Sequence, residues 1–97
     1  MMSLKRFAGN QRLLNFDGEG VCVTLDFMRT RGALEFLGVL DRMAMAVGGI
    51  PNIIKDSRLP LDVVQACYPE YTLFRHRLLD YDPDRVFRSE LSQRLGL

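Results

Sequence analysis

The chain has 97 residues, with 13 basic and 12 acidic side chains and a formal net charge of +1. This length suits one small domain, and the balanced charge gives no electrostatic reason to expect a nucleic acid or an anionic membrane as a partner. A composition of 47% hydrophobic and 26% charged residues is typical of globular proteins. No secretory-type start and no long apolar run occurs, so we expect a soluble, cytoplasmic protein without a membrane span.

Apolar and polar side chains alternate in the first clearly patterned segment, and this period of two predicts a half-buried strand. Its apolar members are Val21, Val23, Leu25 and Phe27. Thr30 can cap a helix over the apolar stripe that follows, and Gly48-Gly49 would end that helix. Residues 50–55 predict a second short strand, with Pro51 tolerated near its start.

The second half of the chain predicts three helices. Pro60 suits the first position of one helix, which breaks at Tyr68-Pro69. The next covers 70–79 and ends before a turn at 82–84, and the last covers about 86–95. No repeat or linker divides the chain, so we predict one domain over residues 1–97. The predicted fold class is α+β, with a strand-helix-strand unit followed by C-terminal helices.

Such a sheet is incomplete. Two strands with helices on one side leave the strand edges and one face uncovered, which makes the sheet marginal by itself. Either the chain forms a homo-oligomer through its sheet edges, or it is the terminal portion of a larger protein that supplies the remaining strands.

Few side chains fall into a pattern typical of a metal site or a catalytic site. The two cysteines make no metal-binding pattern, and no metal site or nucleophile with an adjacent base can be assembled from the sequence. His76 lies between two arginines and is expected to be solvated. Phe36, Met43 and Met45 are expected to pack in the core.

Lysine is rare here, since only Lys5 and Lys55 occur against eleven arginines. Lys55 follows a glycine turn and a short apolar run, where a cation is costly unless something uses it. A purely structural interpretation stays open, in which Lys55 pairs with Asp56 or extends to solvent. Asp56 and Arg58 are expected to fix the following loop by local hydrogen bonds.

An ordered set of short motifs covers essentially the whole chain. They are Leu4-Lys5-Arg6-Phe7, Gly9-Asn10-Gln11, Leu14-Asn15-Phe16, Leu25-Asp26-Phe27, Leu40-Asp41-Arg42, Gly48-Gly49 with Lys55-Asp56-Ser57-Arg58, Tyr68-Pro69, Asp82-Pro83 with Val86-Phe87, and Ser89-Glu90-Leu91 with Arg94-Leu95. Together they resemble the C-terminal end of FAD-dependent oxidoreductases of the vanillyl-alcohol-oxidase type, closest to the branch of decaprenylphosphoryl-β-D-ribose oxidase and aldonolactone oxidase.

The resemblance implies that the cofactor and the substrate are bound by different domains. In that family an N-terminal domain holds FAD, and a C-terminal substrate (cap) domain covers the isoalloxazine with a sheet. This chain resembles only the last part of the substrate domain, and its Gly48-Gly49 turn does not match a phosphate-binding loop. The partners implied are an FAD-binding domain and a small-molecule alcohol, sugar-like or otherwise secondary. The chain alone is not expected to bind FAD or to turn over.

Residue by residue, Lys55 matches the family's active-site lysine beside the flavin and is the expected catalytic and cofactor-contacting residue. A fixed cation there stabilises the negative charge that hydride transfer places on the ring. A second role is proton abstraction from the alcohol, if apolar neighbours lower the pKa of Lys55.

Substrate contacts are implied for Lys5, Cys22, Thr24 and Asn52. Asn52 departs from the family, in which tyrosine or histidine is common at that position, and an amide can neither stack nor shuttle protons as those rings do. On the residues alone, Lys5 reads as a solvated terminal lysine, Cys22 as a small packed residue and Thr24 as an ordinary strand former.

A hypothesis from another class is a non-catalytic, self-associating binding or assembly module built on the same strand-helix-strand unit. It is motivated by the missing strands rather than by any motif.

Overall fold

The computed structural model describes residues 1–97 and contains two strands and four helices. They are β1 (Met2–Ala8), β2 (Glu19–Leu25), α1 (Arg31–Val47), α2 (Leu61–Cys67), α3 (Tyr71–Tyr81) and α4 (Glu90–Arg94). The predicted α+β class is confirmed. None of the helices has the length and apolar character needed to traverse a bilayer.

Strands β1 and β2 form an antiparallel pair, with Met2 opposite Leu25 and Ala8 opposite Glu19. The predicted strand beginning at Val21 is therefore present, but its partner is the N-terminal segment. The prediction of a second strand over residues 50–55 is wrong, because that segment forms a turn. Periodicity could not locate β1, whose side chains do not alternate cleanly between apolar and polar.

The turn that replaces the expected strand is built around Asn52. Its backbone carbonyl accepts a 3.0 Å hydrogen bond from the Asp56 N–H. Its side-chain Oδ1 accepts from the N–H groups of Ile54 and Lys55, at 3.0 and 3.2 Å. Asparagine competes well for neighbouring backbone donors, which favours a turn over an extended strand.

Helix α1 has the ends that the sequence predicted. The Thr30 hydroxyl accepts a 3.1 Å hydrogen bond from the Ala33 N–H, and Gly48 closes the helix at a φ of 68°. Its apolar side chains are less covered than expected, because Asp41 is the only buried residue of the helix. The core placement of Phe36, Met43 and Met45 is wrong, since all three are exposed.

The hydrophobic core lies in the second half of the chain. Its buried members are Ile53, Leu59, Val63, Val64, Cys67, Tyr68, Tyr71 and Leu95. The predicted stripe on α2 is thus confirmed, and α3 begins one residue after the expected start. The last helix is shorter than predicted because Asp82 accepts hydrogen bonds from the N–H groups of Val86 and Phe87, so that α4 begins only at Glu90.

The hairpin remains largely uncovered. Val21 is 69% exposed and Leu4 is 64% exposed, so the predicted half-buried strand has no cover on its apolar face. Helix α2 packs on both α1 and α3, whereas no helix packs extensively on the hairpin. Both outer strand edges are unpaired in this two-stranded sheet, as expected from the sequence.

The accessible surface area and the radius of gyration of the chain agree with an uncovered hairpin. The chain exposes 7275 Å² for a mass of 11.1 kDa, whereas a folded monomer of that mass exposes about 5,700 Å². Its radius of gyration is 14.4 Å, against about 12.5 Å for a compact domain of this length. The molecule therefore presents more surface than a self-contained domain of its size.

Candidate functional site

Lys55 lies on the turn formed around Asn52, between the buried residues Ile53 and Leu59. Its side chain is exposed and has no carboxylate partner within 4.0 Å. The pairing with Asp56 that the sequence left open is not observed, because Asp56 binds Arg58 instead. The turn therefore fixes the backbone of Lys55 and leaves its ammonium group available.

Arg58 ties this turn to helix α1. Its guanidinium donates to both carboxylate oxygens of Asp41, at 2.7 and 2.9 Å, and to Asp56 at 2.9 Å. The hydrogen bonds to Asp41 raise the pKa of Arg58 above its ordinary value, against the opposing effect of desolvation. A bidentate guanidinium–carboxylate pair sets both distance and orientation, so the turn is held in a defined position on α1.

Two more side chains hold the same segment from other directions. The Tyr68 hydroxyl donates a 2.6 Å hydrogen bond to the Pro51 carbonyl, and burial raises the pKa of Tyr68 to about 12. Arg94 on α4 donates to the carbonyl groups of Ile53 and Leu59, at 3.0 and 2.6 Å. Side chains from α1, from the residue that follows α2 and from α4 therefore converge on residues 51–59.

Three of the other predicted residues share one face of the hairpin. Lys5 lies directly opposite Cys22 in the strand register, and Thr24 follows two residues later on the same face. The Cys22 Sγ lies 4.0 Å from the Thr24 hydroxyl oxygen. Lys5 and Thr24 are exposed and Cys22 is half-buried. The structure thus brings Lys5, Cys22 and Thr24 together on a face that is open to a ligand or another segment.

An open, mainly apolar groove of about 570 Å³ lies between the hairpin and the end of α1. Its lining includes Phe7, Phe16, Val21, Cys22, Val23, Leu40, Val47 and the segment 48–51. Lys5, Thr24, Asn52 and Lys55 are not among its lining residues. The lining ends at Pro51, four residues before Lys55, so the groove and the lysine-bearing turn are neighbours in the chain but are not one cavity here.

The side chain of Asn52 is already partly used. Its Oδ1 accepts the two backbone hydrogen bonds that shape the turn, whereas its Nδ2 makes no hydrogen bond within the chain. A tyrosine or histidine at this position could not cap the turn in this way. The amide therefore has a local structural role, and only its NH₂ group is free for a ligand.

Sequence reasoning identified the local Asp56–Arg58 hydrogen bond, which is confirmed, but missed the groups that reach the turn from a distance. Asp41 lies 17 residues from Arg58, and Arg94 lies 41 residues from Ile53. The available signal was a carboxylate inside the most apolar window of the chain. Such a residue requires a cationic partner when buried.

No family model matches the chain. Over 89 residues it is 37% identical to decaprenylphosphoryl-β-D-ribose oxidase of Mycolicibacterium smegmatis. The aligned region covers 92% of this chain and 19% of that protein. Over 96 residues it is also 36% identical to an uncharacterised protein in the mprA 5′ region of Streptomyces coelicolor. That aligned region covers 97% of this chain and 26% of that protein.

The resemblance drawn from the ordered motifs is thus confirmed by identity along nearly the whole chain. The chain spans about a fifth to a quarter of the length of the curated relatives that it matches. What these relatives share with it is one segment, which includes strand β2 and the lysine-bearing turn.

Proposed function

We propose that this chain is part of an FAD-dependent oxidoreductase that oxidises a sugar-like or other secondary alcohol, and that it forms the substrate-side wall next to the flavin. The observation that carries the proposal is the exposed ammonium group of Lys55 on a turn that Tyr68, Arg58 and Arg94 hold in place. A free cation on an immobilised backbone suits electrostatic stabilisation, which requires groups oriented before the reaction. The identity to an oxidase supports the redox chemistry.

FAD, when bound, would accept the hydride that the alcohol loses. Lys55 would provide the positive charge beside the ring, and the apolar groove has room for part of a ring system or substrate. The chain has no glycine-rich loop opening a helix, the arrangement that commonly holds a pyrophosphate. In the proposal an FAD-binding domain outside this chain holds most of the cofactor, and the assembled protein is cytoplasmic.

Lys5, Cys22, Thr24 and the free NH₂ group of Asn52 are the proposed substrate contacts. The ammonium of Lys5 and the hydroxyl of Thr24 supply donors suited to the oxygen atoms of a polyol. Their common face on the hairpin supports a joint role. Asn52 has no titratable ring and Lys55 acts here as a cation, so in this proposal a group outside this chain takes the proton of the alcohol.

The uncovered hairpin supports the view that residues 1–97 are a partial domain. Its apolar face and unpaired edges would be covered by strands of the same substrate domain, which would also place the ring near Lys55. A desalting experiment tests where FAD is held. The isolated chain mixed with FAD should lose its flavin absorbance on the column, and stoichiometric retention would contradict this part of the proposal.

The role of Lys55 is tested in the complete flavoprotein that carries this segment. Lys55→Met should slow the reduction of the flavin by substrate roughly 10²- to 10³-fold, measured by stopped-flow absorbance under anaerobic conditions, with FAD content unchanged. Lys55→Arg is the matched control, because it keeps the charge and should retain more of the rate. Unchanged reduction kinetics in Lys55→Met would remove the proposed role.

A second candidate function is a non-catalytic module that self-associates through the sheet edges. The observation that favours it is the exposed apolar face of the hairpin, where Val21 and Leu4 are mostly solvent-accessible. It predicts a tight dimer of the isolated chain and no change in flavin chemistry when Lys55 is replaced.

A further inference from the structure

We propose that Arg58, held by Asp41, is a positioning residue that sets the location of the Lys55 ammonium group during flavin reduction; this inference rests on the proposed function. Arg58 does not touch the groove described above. It would act through Lys55, by fixing the turn against helix α1.

The burial of Asp41 points to a geometric role rather than to stability alone. It is the only buried residue of α1, and its carboxylate oxygens accept hydrogen bonds from both terminal nitrogens of one guanidinium group. Buried ion pairs contribute little net stability compared with apolar residues of similar volume. What a bidentate pair does supply is a fixed distance and a fixed plane.

The connection from Arg58 to Lys55 is short and continuous. The same guanidinium that binds Asp41 also binds the side chain of Asp56, and the Arg58 N–H donates to Asp56 Oδ1 at 3.2 Å. Asp56 follows Lys55 directly and closes the turn through its N–H. A shift of the guanidinium would therefore move Asp56, and with it the backbone from which the Lys55 side chain extends.

Lysine cannot replace arginine in this arrangement, because an ammonium group lacks the planar fork that engages two carboxylate oxygens. Arg58→Lys keeps the positive charge and removes the geometry. In the complete flavoprotein we expect it to slow flavin reduction about 10- to 100-fold, the cost of displacing a catalytic group by about 1 Å, with FAD content and substrate KM near the wild-type values.

A double-mutant cycle shows whether Arg58 acts through Lys55. Arg58→Lys should have no further effect on flavin reduction in a Lys55→Met background, because the group that it positions is gone. Arg31→Lys is the matched control: its partner Glu35 lies four residues away on the exposed side of α1, and the pair should not affect the rate. Equal slowing by Arg58→Lys with and without Lys55 would overturn the inference.

Amide hydrogen exchange in this chain provides a readout that is independent of the cofactor. Arg58→Lys should accelerate exchange at Ile54, Lys55 and Asp56 several-fold, while Val64 in the core keeps its protection. Unchanged exchange in the turn would overturn the inference and leave the proposed function intact. If Lys55→Met alone leaves flavin reduction unchanged, the proposed function fails, and the inference fails with it.

Discussion

Tyr68 is fully buried, yet its hydroxyl reaches the backbone of the lysine-bearing turn through a 2.6 Å hydrogen bond to the Pro51 carbonyl. Pro51 has no N–H to contribute to a turn or strand, so its carbonyl is the group through which this point of the chain can be fixed. A core residue thus contributes to the local geometry of the candidate site.

Tyr68→Phe should lower the free energy of unfolding by about 1 to 2 kcal/mol, because the Pro51 carbonyl loses its partner while the ring stays packed. Urea denaturation followed by circular dichroism measures the change. Tyr81→Phe is a suitable control, since Tyr81 is 80% exposed. Equal stabilities of Tyr68→Phe and the wild type would show that the hydrogen bond is unimportant.

The same residue predicts a pH dependence. An unfolded tyrosine ionises near pH 10, whereas burial raises the pKa of Tyr68 to about 12 in the folded chain. Between these values the unfolded state binds fewer protons, so stability falls as the pH rises. The contribution of Tyr68 is complete below pH 10, and about 2 to 3 kcal/mol is lost by pH 12. Unfolding experiments at pH 9 to 11 should show a steeper decline for the wild type than for Tyr68→Phe, and parallel declines would contradict the burial effect.

At the scale of elements, the chain divides into a packed half and an open half. Helices α2 and α3 contribute Val63, Val64, Cys67 and Tyr71 to the core, whereas the hairpin contributes no buried residue. Helix α1 has only one buried residue, Asp41. Its integrity therefore depends more than usual on its own ends, which are capped by Thr30 and Gly48.

Thr30→Ala should cost about 1 kcal/mol of helix stability, because the Ala33 N–H loses its side-chain acceptor. We expect a lower thermal midpoint and less helical ellipticity at 222 nm. Thr30→Ser keeps the hydroxyl and should behave like the wild type. An alanine variant that also matches the wild type would mean that α1 does not depend on this cap.

The hairpin should be the least protected regular element of the isolated chain. Amides of β2 such as Val23 have neither core packing nor neighbouring strands beyond β1, so their exchange should be faster than that of Val64. In the complete flavoprotein, pairing with further strands should slow exchange at the edges. Equal protection of Val23 and Val64 in the isolated chain would contradict this prediction.

For the whole molecule, the exposed surface exceeds the expectation for its mass, and both candidate functions account for this excess by giving the chain neighbours. The two candidate functions differ in what those neighbours are. Further strands of one substrate domain would cover the hairpin in an oxidoreductase, whereas a second copy would cover it in an assembly module.

Sedimentation velocity over a range of concentrations separates these cases. The oxidoreductase proposal predicts a monomer or a weak, concentration-dependent association of the isolated chain, since its apolar face is shaped for other strands. A charge on that face, as in Val23→Asp, should abolish any weak association without unfolding the α2–α3 core. A tight dimer of defined stoichiometry would favour the assembly module instead.

The sequence by itself determined the local features: the cap at Thr30, the glycine stop at Gly48 and the buried stripe of α2. Each depends on side chains within one or two turns of helix, so propensity and periodicity suffice to predict it. The motif order also sufficed to identify the resemblance to an oxidase, as the identity confirms.

Only the tertiary structure decided which distant groups meet. It paired β1 with β2, turned residues 52–56 away from an extended strand, and joined Asp41 to Arg58 across 17 residues. It also placed Lys5 opposite Cys22 while leaving the apolar face of the hairpin open. Patterns along a chain report the preferences of near neighbours, whereas contacts between distant residues depend on the path of the whole backbone, which no local pattern encodes.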